Sequence, residues 1–275
     1  MNTHDGCIKR AIKSIRYGFE LVAICSTIAG VLGFTIRDIK QNMTLKESLL
    51  ILLLAITVFS IIVFIGLVIK SKKGFDLKIN GKTVSIRVGN IFTEPGWKVI
   101  PCNEYFDTTV DDRIIAQNTL NGRMICDYID DINDLNRTIE AAQNDTSPLV
   151  PTDRSGRKVY PLGRIIQYND FLMLAFTHFN QHNEAYIDIA EYESCLMKMW
   201  GELRRVYAAK HICIPLIGAG ITDINGMSIK DSTTLLKCIL CTMRSSGFAP
   251  DSGLEIVLTQ NTFDSIDTDR IRDEF

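Results

Sequence analysis

Little in this chain of 275 residues points to covalent or metal chemistry. Its eight cysteines are scattered, with no spacing of a disulfide framework, and read as reduced thiols. Cys238-x-x-Cys241 has no second pair. Within the apolar run LLKCILC it reads as two small buried thiols, not a zinc site. His178 and His182 have no third ligand nearby and read as a loop pair. The acid-rich segment Asp127–Asp134 lacks the glycine and closing glutamate of a calcium loop, which leaves a solvated helix face. Ser14, Ser85 and the other serines form no nucleophile elbow. No catalytic residue, metal ligand or cofactor is therefore expected. Hydrophobic content of 46% with 23% charged residues excludes a disordered, collagen-like or low-complexity chain.

Net charge is also small, at −2, but it is unevenly spread. Residues 1–75 carry ten basic and four acidic side chains, leaving 20 basic and 28 acidic ones for residues 76–275. The acidic larger part excludes a nucleic-acid binder led by counterion release. The basic part holds the long apolar runs. Leu49–Ile69 has no charge, and its 21 residues at about 1.5 Å each match a bilayer core of roughly 30 Å. Tyr17–Ile36 is less apolar and carries Glu20, a candidate pore or relay carboxylate or a residue that snorkels. It reads as a second span. The competing reading, a signal peptide, lacks a small-residue cleavage site before Arg37.

Two spans joined by a short loop make a hairpin. Lys9, Arg10, Lys13, Arg16, Lys70, Lys72 and Lys73 flank its open end, so the positive-inside bias places both termini in the cytoplasm. The expected organisation is a two-helix transmembrane anchor over 1–74 and a cytoplasmic domain over 75–275. Ala29, Gly30, Gly33 and Gly66 fit either ordinary membrane-helix composition or an oligomerisation seam.

The second domain alternates short β-branched runs with helical stretches. Strands are predicted at Thr83–Val88, Lys98–Ile100, Val159–Tyr168, Phe171–Thr177, His211–Pro215 and Leu254–Leu258. Helices are predicted at Asp111–Ala116, Met124–Ala142, Ala185–Ala209 and Ile229–Ser245. The pattern implies an α/β fold, a mixed sheet flanked by helices on both faces. Ligands in such sheets sit beyond the carboxyl ends of the strands. Three loops there stand out: Gly89-Asn90-Ile91, Pro101-Cys102-Asn103-Glu104 and Ile217-Gly218-Ala219-Gly220-Ile221. Small residues at 218–220 let main-chain N–H groups approach an anion, with the following helix in support. A tight strand-to-helix turn is the commoner use of such a sequence.

Taken together, the three loops resemble those of the macro domains, which bind ADP-ribose. The match is to a Gly-Asp-Ile motif, a Val-Asn-Ala-Ala-Asn-Glu strand and a Ser-Thr-Gly-Ile phosphate loop, over roughly residues 75–275. With IPCNEYFDTTVDDRII, PLIGAGI and the anchor, the chain resembles the membrane-anchored macro-domain effectors of Thoeris, a bacterial antiphage system. The resemblance implies roles. Asn90 would accept from the adenine amino group, with Ile91 packed on the ring. Asn103 would face the distal ribose, Gly218, Ala219, Gly220 and Ile221 would wrap the diphosphate, and Pro101 and Ile217 would complete the ligand-binding set. Ile100 stands where the family has an asparagine, and the glycine triplet of the first loop is missing. Asn121 and Gly122 are its candidate replacements, and Phe263 is a candidate for stacking on adenine or ribose, although an aromatic in that position is more often plain core.

Those departures remove part of a hydrolase's machinery, so the resemblance implies a sensor. Its ligand would be an ADP-ribose derivative made from NAD by a TIR-domain partner, its location the bacterial inner membrane as a multi-pass protein, and its output disruption of that membrane and abortive infection. The implied partners are that nucleotide signal, the lipid bilayer and further copies of the chain. A tethered hydrolase of ADP-ribosyl groups or ADP-ribose derivatives is the alternative enzyme reading, and a scaffold that binds no nucleotide is the third.

Overall fold

The computed structural model describes residues 45–275, apart from 145–150, 154–155, 181, 183 and 228–229, together with scattered helical positions between 12 and 27. It divides into two compact units, Met1–Lys73 and Gly74–Phe275.

In the first unit, α1 (Leu45–Lys73) is a 29-residue helix. Here the expected anchor is corrected. Among the described residues no helix is long and apolar enough to cross a membrane. The transmembrane hairpin, the lipid partner and the multi-pass inner-membrane location are not supported. Most of the expected first span, including Ala29, Gly30 and Gly33, lies outside the described residues. Within it, Glu20 is paired with Arg16 one helical turn earlier, Nε to Oε1 at 3.0 Å, an exposed pair of the ordinary i,i+4 kind.

The second unit is a nine-stranded mixed sheet among the described residues. Its strands are β1 (Gly74–Ile79), β2 (Lys82–Val88), β3 (Trp97–Asn103), β4 (Ile165–Tyr168), β5 (Phe171–Phe179), β6 (Ala185–Asp188), β7 (Ile212–Pro215), β8 (Asp223–Asn225) and β9 (Leu254–Leu258). Their order is β1-β2-β9-β7-β3-β5-β6-β8, with β4 paired to β5. The central run from β2 to β5 is parallel; β1 joins β2, and β4 and β6 join β5, antiparallel, while β8 joins β6 parallel.

Period-2 alternation sorts the strands onto two cores. Along β5, Leu172, Leu174 and Phe176 face one core with Trp200, Tyr192 and Leu236, whereas Phe171, Met173 and Ala175 face the other with Met124 and Leu135. Helices cover both faces: α2 (Leu120–Tyr128) and α3 (Ile132–Asn144) supply Met124 and Leu135, and α4 (Ile189–Val206) and α5 (Ser232–Ser246) supply Trp200 and Leu236. Two short helices, α6 (Gln260–Asp264) and α7 (Thr268–Glu274), follow β9. The α/β expectation is met.

Several elements differ from expectation for local reasons. Asp111–Ala116 is a loop because Asp111 Oδ1 accepts from the N–H groups of Arg113 and Ile114 at 2.9 and 2.8 Å, and Asp112, at φ 57°, accepts from Gln117 N. Those turns compete successfully with helix. The stretch 124–142 breaks at Ile129, in extended backbone, and Asp131 Oδ1 caps the start of α3 by accepting from Asn133 N and Asp134 N. Ala185–Asp188 is a strand, and Asp188 with Glu191 forms the capping box that starts α4.

Candidate functional site

The ladder between β3 and β7 consists of two register pairs, Trp97↔Ile212 and Lys98↔Cys213. Beyond them stand Pro101 on one strand and Pro215 on the other, and proline has no N–H with which to continue a ladder. The strands part there. The crevice opens into a cavity of about 480 Å³ lined by both prolines, by Gly89–Ile91 after β2, by Val257–Thr259 at the end of β9, and by the loop after β7. All lie at the carboxyl ends of parallel strands, as the topology of open α/β sheets favours.

Of the residues singled out from the sequence, Asn90, Ile91, Pro101, Asn103, Asn121, Gly218, Ala219, Gly220 and Ile221 line this cavity. Gly122, Ile217 and Phe263 do not. Gly122 lies on α2 behind the lining, and a Cβ there would sit 2.3 Å from the Ala116 carbonyl oxygen. Its role is close packing. Ile217 is fully buried, with its carbonyl accepting from the Tyr192 hydroxyl at 2.9 Å. Phe263 is buried with its ring centroid 6.2 Å from that of Phe75, so the expected stacking residue is core.

Two asparagines turn out to be partly committed. Asn90 Oδ1 accepts from Phe92 N at 3.3 Å and caps the 3-10 turn Ile91–Thr93. Asn103 Oδ1 accepts from the N–H groups of Tyr105 and Asp107, both at 3.1 Å, while its Nδ2 donates to Asp107 Oδ2 at 2.9 Å. Asn103 thereby folds the loop after β3. Arg157 fastens the same loop, donating to Asp107 Oδ1 at 2.6 Å and lying 3.7 Å over the Tyr105 ring. Asn121 Oδ1 lies 3.4 Å from the Cys102 thiol, which burial pushes well above the ordinary thiol range. This sulfur is not a ready nucleophile.

The loop after β7 is main chain exposed to the cavity. Gly218 adopts φ +90°, in the left-handed region, between Ile224 and Tyr192. Gly220 has open space where a Cβ would be, and Ile221 is 73% exposed. The loop runs into β8, so α5, starting only at Ser232, does not back it as expected. The helix that does point its start at the cavity is α2, whose Thr119 N-cap, Leu120 and Asn121 belong to the lining. Lys230, also unforeseen, donates through Nζ to the carbonyls of Gly220 (2.7 Å) and Thr222 (2.5 Å). Burial lowers its pKa somewhat, with Asp223 acting against this. The ammonium draws those carbonyls to its side of the loop; in a trans peptide the following N–H then points the other way. Among the described lining residues Arg123 is the one that carries charge, its guanidinium 4.8 Å over Phe92.

The sequence matches the family described as Thoeris protein ThsA, Macro domain, over residues 84–259, which spans both sides of the cavity. The chain belongs to the ThsA macro-domain family. Thoeris protein ThsA of Bacillus amyloliquefaciens (strain Y2) is 35% identical over 222 residues, covering 78% of this chain and 74% of that protein. Two solved structures are also similar. The Oceanobacillus iheyensis macrodomain with ADP is 13% identical, with a TM-score of 0.47 over 74% of this chain and 98% of that one. The same macrodomain with MES bound is 15% identical, with a TM-score of 0.48 over 73% and 96%. In this ThsA macro domain Asn90 follows β2 and Gly218-Ala219-Gly220-Ile221 follows β7, both within the matched residues.

Proposed function

We propose that this protein is the ligand-sensing effector of a Thoeris antiphage system. The cavity receives an ADP-ribose derivative made from NAD by a TIR-domain partner, and main-chain amides of the Gly218–Ile221 loop, other than Ala219 N–H, which donates to the Leu216 carbonyl at 3.1 Å, hold its diphosphate. One observation carries the reading: the three loops chosen from the sequence converge on a single cavity of about 480 Å³, within the range of about 300–1,000 Å³ usual for small-molecule sites. Among its described lining residues Arg123 alone is charged, which favours an anion held by local main-chain dipoles over bulk attraction. The effector reading is favoured over the hydrolase because a water-activating group is missing from the lining: among the described residues it contains no carboxylate and no histidine.

Ligand binding would act by favouring one arrangement of the chain's copies, which requires a differential affinity of a few kcal/mol between arrangements. Calorimetric titration of the full chain with ADP-ribose and its derivatives tests the proposal, with mass photometry reporting assembly. Binding of at least one derivative is expected, without its consumption. Turnover of the ligand would favour the hydrolase, and absence of binding across the panel would overturn both readings.

A further inference from the structure

The amino ends of β7 and β9 lie at the opposite edge of the sheet from the cavity, and they bring together three metal-ligating side chains. His211 immediately precedes β7. Cys213 is two residues on and therefore on the same face of the extended chain. Glu255 on β9 is the register partner of Cys213. One ligand atom from each lies within 4.8 Å of the others. In a tetrahedral zinc site, with Zn–N near 2.0 Å and Zn–S near 2.3 Å, neighbouring ligand atoms are about 3.3–3.7 Å apart. Closing the gap takes movements of about 1 Å, within reach of side-chain rotation. His211 Nε2 and Glu255 Oε2 are already 3.4 Å apart.

A second observation concerns how the imidazole is held. His211 Nδ1 is 3.0 Å from the Ser252 carbonyl oxygen, which can only accept, so Nδ1 carries the proton and donates it there. Nε2 is thereby aimed at Glu255 and Cys213. A main-chain carbonyl on the remote nitrogen is the usual support of a metal-bound histidine. The backbone around it is fixed on both sides: His211 O accepts from Trp97 N at 2.7 Å, and Gly253 O accepts from Ile212 N at 3.3 Å. Gly253, at φ +89°, leaves room for the ring, since a Cβ there would sit 3.2 Å from Nδ1.

We propose that His211, Cys213 and Glu255 bind a thiophilic divalent cation, with zinc as the ion their chemistry fits, separate from the nucleotide cavity. A thiolate, a carboxylate and a neutral imidazole around a dication sum to zero charge, which suits the half-buried position of His211 and Glu255. The thiol of Cys213 lies 3.6 Å from the Pro95 carbonyl, and burial pushes its pKa to about 12. Metal binding exchanges this S–H for an S–metal bond and releases the proton to solvent. Glu255 and Glu94 act in the same direction as burial, and Lys98 acts against them.

The test is titration of the full, chelator-treated and reduced chain with Co²⁺ alone, followed by competition with Zn²⁺. One Co²⁺ per chain is expected, with a thiolate-to-cobalt charge-transfer band that Zn²⁺ removes. Cys213→Ser should abolish the band, and His211→Gln and Glu255→Gln should weaken affinity at least tenfold. A Cys238→Ser/Cys241→Ser double variant should keep it. Zinc at about 100 times its Kd should raise the Tm by roughly 5–10 °C. No thiolate band, equal affinity in His211→Gln, or loss of the band only in the double variant would overturn the proposal and leave a plain His211–Glu255 ion pair. His211→Gln alters a half-exposed side chain, so it decides the matter even where Cys213→Ser fails to fold.

Discussion

At the carboxyl ends of β2, β3, β7 and β9 the protein surrounds a cavity with main chain, small residues and neutral amides, and Arg123 is the one charged lining residue described. At the amino ends of β7 and β9 it places an imidazole, a thiol and a carboxylate within 4.8 Å of one another. The glycines divide in the same way. Gly96, just before β3, has φ +87°, and a Cβ there would lie 2.3 Å from the His211 carbonyl oxygen. Gly220, in the cavity loop, has neither a left-handed φ nor an atom within 4 Å of a built Cβ. Glycine is thus required by the fold at Gly96, as it is at Gly218 in the cavity loop, whereas at Gly220 the fold leaves the position open for function.

Substitution at the two glycines breaks the comparison most directly. Gly96→Ala forces a side chain into backbone and strains φ, and is expected to cost about 3 kcal/mol and lower the Tm by roughly 6–12 °C in scanning calorimetry. The folded fraction should bind nucleotide normally. Gly220→Glu is expected to do the reverse: a Tm within about 1 °C of the parent, with affinity for ADP-ribose derivatives down about 100-fold because a carboxylate opposes the diphosphate in a partly desolvated site. A Gly220→Glu variant that unfolds, or a Gly96→Ala variant that does not, would erase the distinction.

A smaller effect sharpens it. Lys230→Met removes the ammonium that holds the Gly220 and Thr222 carbonyls, and about a tenfold loss of nucleotide affinity is expected with little change in Tm. The smallest effect lies behind the cavity. There His178 Nδ1 is 2.6 Å from Glu104 Oε2 and Nε2 is 3.3 Å from Glu191 Oε1. The Glu104 hydrogen bond is the main cause of a raised His178 pKa, with burial opposing it. A raised folded-state pKa stabilises fully below the unfolded value of about 6.5 and is lost as pH rises through the folded value. The Tm of the parent minus that of His178→Gln should therefore shrink by roughly 2 °C between pH 6 and pH 9. A constant difference would show that the cluster's charges do not matter.

Much of the sheet was legible from the sequence because its strands are buried on both sides and rich in Val, Ile and Leu. Leu254–Leu258 was read with its observed bounds, and Phe171–Thr177 lacked only two residues. The strand Gly74–Ile79 is hard to see in the sequence because its alternation of Phe75, Leu77 and Ile79 with polar residues follows the apolar run with no turn signal between them but Gly74. The convergence of three loops on one cavity was legible because each follows a parallel strand at the same end. The fate of individual side chains was not. Asn103 and Phe263 have the residue types a ligand contact calls for, but their partners, Asp107 and Phe75, are set by loop folding and core packing. Lys230 acts across ten residues of chain on carbonyl oxygens, for which the sequence carries no motif. Likewise, the pairing of Cys213 with Glu255 comes only from strand register.

The central claim is that main-chain amides of Gly218–Ile221 hold the diphosphate of an ADP-ribose derivative. A crystal structure of the full chain with ADP-ribose tests it most directly. The expected result places phosphate oxygens about 2.7–3.1 Å from main-chain nitrogens of that loop, with the adenine beside Asn90 and Ile91. A diphosphate held instead by the Arg123 guanidinium, or a ligand bound outside the cavity, would contradict the account.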